Sequence, residues 1–138
     1  MSDLELAKAN LLGHTICLCK DGEIVFSDKR GISPMMGFIA EGKDLNGFSA
    51  ADLIVGKAVA MLFVKCKIKN VFAKTLSRSG KQILERYKIH CEYETLTDKI
   101  INRDRTDICP MEKTVAVTDD IEEGYKLLSA KLASMKSN

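Results

Sequence analysis

The sequence predicts an α/β protein, a three-layer α/β/α sandwich on a mixed sheet, and three observations lead there. Two β-rich runs, residues 15–19 and 23–27, meet across Asp21-Gly22. That dipeptide suits a type I′ turn, which needs positive φ at both central positions, so the pair reads as an antiparallel hairpin. Further on, strand-like runs at 70–75 and 89–94 flank a helical run at 79–87. Strands joined across a helix pair in parallel. Finally, 138 residues with 46% hydrophobic and 29% charged side chains suit one globular domain spanning 1–138, with residues 134–138 expected to fray.

Taken in order, Ser2 and Glu5 form a capping box that opens a short amphipathic helix through Leu4, Ala7 and Leu11, with Gly13 suited to its end. The hairpin follows. Residues 28–48 carry four glycines and a proline and read as a long connection with one helical turn at 33–40. Residues 49–64 read as a helix capped by Ser49, with Asp52 in capping-box spacing and Phe48 stapled to Leu53. It is apolar on nearly all sides, hence buried. After the strand at 70–75, Ser79 and Gln82 have capping-box spacing at the start of the helix to Tyr87. The strand at 89–94 alternates Ile89, Cys91 and Tyr93 with His90, Glu92 and Glu94, one face buried and one wet. An irregular stretch to Pro110 leads to a short strand at 114–118. Asp119 and Asp120 then open a final helix with Ile121, Tyr125, Leu128 and Leu132 on one face.

Composition removes several function classes. The net charge of +2 is spread along the chain, which gives no electrostatic case for nucleic acid or an anionic membrane. Aromatics are only 6% and Trp is absent, so base-stacking platforms are not expected. The first residues lack the pattern of a signal peptide, and the apolar stretch at 50–64 holds Asp52 and Lys57 and is too short to span a bilayer. Five cysteines without a C-x-x-C pair suit reduced thiols in a soluble cytoplasmic protein.

The order helix, hairpin, helix, strand, helix, strand is similar to the layout of the cytidine-deaminase-like fold. The runs Arg30-Gly31-Ile32-Ser33-Pro34, Asp52-Leu53-Ile54-Val55-Gly56-Lys57-Ala58, Ile101-Asn102-Arg103-Asp104 and Cys109-Pro110-Met111-Glu112 resemble one family within it. That family is an uncharacterised bacterial domain of unknown function, and the resemblance covers residues 4–131. It implies a fold and no reaction. A zinc deaminase needs H-x-E at one helix start and P-C-x-x-C at the next. The starts expected at Ser49 and at residues 75–80 hold neither His nor Cys, so zinc deaminase activity is not expected and no cofactor is assigned. His90-Cys91-Glu92 spells H-x-E but falls on a strand, where it reads as a polar face.

The candidate ligand-binding residues are Arg30, Ser33, Asp52, Lys57, Arg103, Asp104, Cys109 and Glu112. Asp52 and Lys57 are the only charges in an apolar stretch, so each must find water, a partner or a ligand. For Asp52, helix capping explains the residue as well as a pocket does. Lys57 has no such excuse, and Gly56 beside it suggests close backbone approach. Arg30 and Ser33 could grip a carboxylate or phosphate, or simply shape a turn. The stretch Ser77-Arg78-Ser79-Gly80-Lys81 could bind an anion at a helix N-terminus, though capping explains it. Cys17 and Cys19 share a strand face and read as small core residues. Three readings follow: a metal-free binder of a small anionic or nucleotide-like ligand; an enzyme using Cys109 or Lys57; and a homodimeric module pairing through a sheet edge or apolar helices.

Overall fold

The computed structural model describes residues 1–102 and 105–136. Helix α1 (Asp3–Ala9) opens with the expected capping box: the Ser2 hydroxyl accepts from the Glu5 N–H and the Glu5 carboxylate accepts from the Ser2 N–H. Strands β1 (Ile16–Lys20) and β2 (Glu23–Ser27) form the hairpin, with Asp21 at φ 49° and Gly22 at φ 88°. Helix α2 (Ser33–Ala40) lies in the long connection where a helical turn was expected.

The chain then departs from expectation. Residues from Ser49 form β3 (Ser49–Val55), and the helix, α3 (Lys57–Lys65), begins only after Gly56. Ser49 is no N-cap, Asp52 caps nothing, and Phe48 and Leu53 staple no helix. The physical reason is burial on both sides. A central strand covered on both faces reads as an unbroken apolar run, which periodicity cannot tell from a buried helix. Next come β4 (Asn70–Ser77) and α4 (Arg78–Arg86). The cap of α4 is Ser77, whose Oγ accepts from the Gly80 N–H at 3.0 Å, rather than Ser79. After β5 (His90–Thr97), residues 110–115 form α5 (Pro110–Val115), a helix where a strand was expected at 114–118. Pro110 fits the first helical turn, and the Thr114 hydroxyl donates to the Pro110 carbonyl at 2.9 Å, which lets a β-branched residue sit in a helix. Helix α6 (Ile121–Lys136) is capped by Asp120, as expected from the acids before it.

The five strands run in the order β2-β1-β3-β4-β5. β1 is antiparallel to β2 and β3, while β3, β4 and β5 are parallel, so the mixed sheet is as predicted. One face is covered by α1, whose Leu4, Ala7 and Leu11 pack with Cys17, Cys19, Ala51 and Phe72. The larger core on the other face joins Ile16, Leu18, Ala50, Val71 and Ala73 to side chains from α2 to α6. Among the described residues no helix is long and apolar enough to cross a membrane.

Candidate functional site

Three helices, α2, α3 and α4, begin at the end of the sheet where the parallel strands finish. Ser27 at the end of β2, Ile16 at the start of β1, Asp52 midway along β3 and Ala73 midway along β4 form one lateral row across four strands. Asp52 alternates with Ala51 and Leu53 of the α1 face, so it points to the opposite side, between Ile16 and Ala73 of the larger core. Its Oδ1 accepts from the Ile54 N–H at 3.3 Å, and no cation or side-chain donor meets it among the described residues. Every buried side-chain oxygen or nitrogen described has a partner, and the residue as a whole is 7% exposed. Burial drives the pKa of this carboxyl from its ordinary 3.8 up to about 8, against the small lowering effect of backbone N–H groups. Burial thus favours the protonated form of Asp52 well above the usual carboxylate range.

Lys57 is explained otherwise. Its Nζ lies 2.8 Å from Asp119 Oδ1, in a pair Arg86 joins at 3.5 Å, and its side chain is only 12% exposed. The hydrogen bond from Lys57 holds the Asp119 carboxyl below its usual range. The roles that spacing suggests for Asp52 and Lys57 are therefore exchanged: Asp52 loses its capping explanation and Lys57 gains a partner.

Glu112 closes the start of α3. Its Oε1 accepts from the Lys57 N–H and its Oε2 from the Ala58 N–H, both at 2.8 Å. A carboxylate here satisfies orphan backbone donors and meets the positive end of the helix dipole. The close approach needs Gly56, because a Cβ at that position would lie 2.3 Å from Glu112 Oε1. Gly80 is needed for a similar reason, since a Cβ there would sit 3.0 Å from the Gly56 carbonyl carbon.

Of the remaining candidates, Arg30 is exposed and makes no ion pair among the described residues; its carbonyl accepts from the Ser33 N–H at 3.2 Å across Gly31, whose φ is 62°. Ser33 opens α2 and is half-buried. Cys109 is the N-cap residue of α5, half-buried, with its N–H donating to the Ile100 carbonyl at 2.9 Å. Arg103 and Asp104 lie outside the described residues. The structure thus brings Glu112 onto the backbone of Lys57 and sets Arg30 and Ser33 at the end of the sheet where β3 finishes, three residues beyond Asp52. The sequence suggests for Asp119 only a helix-opening role, not its pairing with Lys57. Nothing local could flag it, because its partner Lys57 is remote in the chain.

Of the two stretches compared with zinc motifs, only the second contains a helix start, that of α4. Ser49 to Asp52 is half of β3, and residues 75–80 straddle β4 and α4. The starts of α2 and α3, at residues 30–36 and 56–60, also hold no His or Cys. Among the described residues no three His, Cys, Asp or Glu side chains converge as a metal would require. His90 Nε2 lies 3.0 Å from Glu92 Oε2 on the same strand face, which lowers the Glu92 pKa. The thiols of Cys17 and Cys19 are buried, and burial pushes Cys19 up to about 12. Burial likewise raises Cys66, to about 11, and Cys91.

Two surface depressions lie at the other end of the sheet. One, of about 580 Å³, is lined by Lys20, Ser49, Lys69, Asn70 and His90 among others. The second, of about 360 Å³, adjoins it at Lys69.

Fold and site together define an α/β sandwich with a buried acid midway along its central strand β3. The chain belongs to the TM1506 family, a domain of unknown function (DUF1893), whose pattern matches residues 6–132. A crystal structure of a DUF1893 family protein from Thermotoga maritima shares the fold at a TM-score of 0.84 and 23% identity, over 95% of this chain and 91% of that one. A diaminohydroxyphosphoribosylaminopyrimidine deaminase/5-amino-6-(5-phosphoribosylamino)uracil reductase from the same organism aligns at 16% identity and a TM-score of 0.45. That alignment covers 83% of this chain and 39% of that one, a likeness too slight to carry any inference. No curated protein matches.

Proposed function

We propose that this chain is a non-catalytic domain that binds a small anionic or nucleotide-like molecule, without zinc, at the carboxyl ends of β3 and β4. One observation carries the reading: Asp52 is a buried carboxyl with no cation opposite it among the described residues and no role in capping. Enclosing such a group costs free energy, and isolated titratable groups of this kind concentrate at functional sites. Its location supports the same reading: β3 ends three residues after Asp52, and open α/β sheets bind ligands beyond the carboxyl ends of their strands. In its protonated form Asp52 donates a hydrogen bond to a ligand oxygen or ring nitrogen and does not repel an anion. Arg30, exposed and without an ion pair among the described residues, and Ser33 at the start of α2 supply the anionic grip.

The geometry gives an enzyme less support. The Lys57 ammonium is engaged by Asp119, and both histidines are engaged away from Cys109, His14 with Asp28 and His90 with Glu92. The test is a melting-temperature screen with nucleosides, nucleoside monophosphates and small carboxylates. Selected anionic or nucleoside compounds are expected to stabilise the wild type. Asp52→Ala is expected to lose that shift and Asp52→Asn, still a neutral donor, to keep part of it. Equal shifts in the wild type and Asp52→Ala would overturn the assignment.

A further inference from the structure

The sheet has two edges, and they are built differently. β5, at one edge, carries His90, Glu92 and Glu94, with Glu92 paired to Lys8 and His90. Charged side chains on an edge discourage pairing with another strand. β2, at the other edge, reads Glu-Ile-Val-Phe-Ser, without Lys or Pro, and its register with β1 runs unbroken from Ile16 opposite Ser27 to Lys20 opposite Glu23. Ile24 and Phe26 are 41% and 56% exposed. This is the kind of edge that natural proteins cover or blunt.

The turn settles which backbone groups are free. In a two-residue hairpin with both central φ positive, Lys20 and Glu23 form a hydrogen-bonded pair. The pattern alternates, so the N–H and C=O of Glu23, Val25 and Ser27 face β1. Those of Ile24 and Phe26 face outward. Two copies of this strand, antiparallel about a two-fold axis at Val25, place Ile24 of one opposite Phe26 of the other. The four outward N–H and four outward C=O groups of the two copies then include four matched N–H···O=C bonds. Ile24 and Phe26 pack as cross-strand pairs on one face, and the half-buried Val25 meets its own copy on the other. A C2 interface requires such self-complementarity.

We infer that the exposed edge of β2 is a homodimer interface, through which a second copy of this chain extends the five-stranded sheet into a continuous ten-stranded one. Sedimentation equilibrium of the whole chain, from micromolar to hundreds of micromolar, is expected to show a monomer–dimer equilibrium. Phe26→Lys is expected to weaken association by at least about tenfold while leaving the circular dichroism spectrum unchanged. A separate measurement fixes the register. Val25 on the axis has its partner Cα about 4.5 Å away in a non-hydrogen-bonded pair, within reach of a disulfide. Val25→Cys should therefore crosslink to dimer under mild oxidation, and Ile24→Cys, offset along the strand from its own copy, should not. A wild type monomeric at the highest concentration would overturn the interface. So would undiminished association of Phe26→Lys, or Ile24→Cys crosslinking as readily as Val25→Cys.

Discussion

At the residue scale, the chemistry turns on what enclosure does to single groups. Asp52 sits between Ile16 and Ala73 with only backbone N–H groups as donors, so burial raises its pKa in the folded chain to about 8. The unfolded chain releases the proton near the ordinary 3.8. Between those values the folded state binds one proton more than the unfolded state, so stability falls as pH rises through the window and levels off outside it. Each pH unit there costs up to about 1.4 kcal/mol. Asp52→Asn, which cannot ionise, should lack this slope and exceed the wild type by roughly 2–4 kcal/mol at pH 7. Urea denaturation of both proteins from pH 5 to pH 9 checks this, and parallel stability curves would refute it. The thiols offer an independent check on enclosure. With Cys17 and Cys19 fully buried and Cys19 raised to about 12, neither is expected to react with iodoacetamide at pH 8 until the chain unfolds. Peptide mapping after timed alkylation reads that directly.

At the element scale, the start of α3 joins distant parts of the chain. Glu112 bonds two backbone N–H groups of α3, and Gly56 leaves room for it. Glu112→Ala should cost about 1–2 kcal/mol, as loss of a helix cap does. Gly56→Ala should cost no more than this, because its Cβ displaces the same carboxylate at the end of a flexible side chain. The two changes break one contact, so the double variant should lose clearly less than the sum, and additive losses in urea denaturation would contradict the arrangement.

Elements with local chemistry were legible from the sequence. The Ser2–Glu5 box, the Asp21-Gly22 turn, the helix at 33–40 and the acid-opened final helix all carry their own signals. β3 does not, because Ala50 and Ala51 lack strand propensity and the strand runs into a buried helix with only Gly56 between them. α5 reads as strand from Thr114, Val115 and Val117, and only Pro110 argues otherwise. In the site, Asp52 stands out as a lone charge, but its meaning depends on the element that carries it. Glu112 and Asp119 act through contacts across the fold that no spacing encodes.

At the scale of the whole molecule, the two ends of the sheet offer different surfaces. The carboxyl end gathers Arg30, Ser33 and three helix starts, three residues beyond Asp52 on β3, while the amino end holds depressions lined by Lys20, Lys69 and His90. The central claim is that the ligand is taken at the carboxyl end. The most direct test is a backbone amide NMR titration of the isotope-labelled chain with nucleoside monophosphates at neutral pH. Shifts concentrated at residues 30–36 and 52–58, and absent in Asp52→Ala, are the expected result. Shifts confined to Lys20, Lys69, Asn70 and His90, or none across the series, would contradict it.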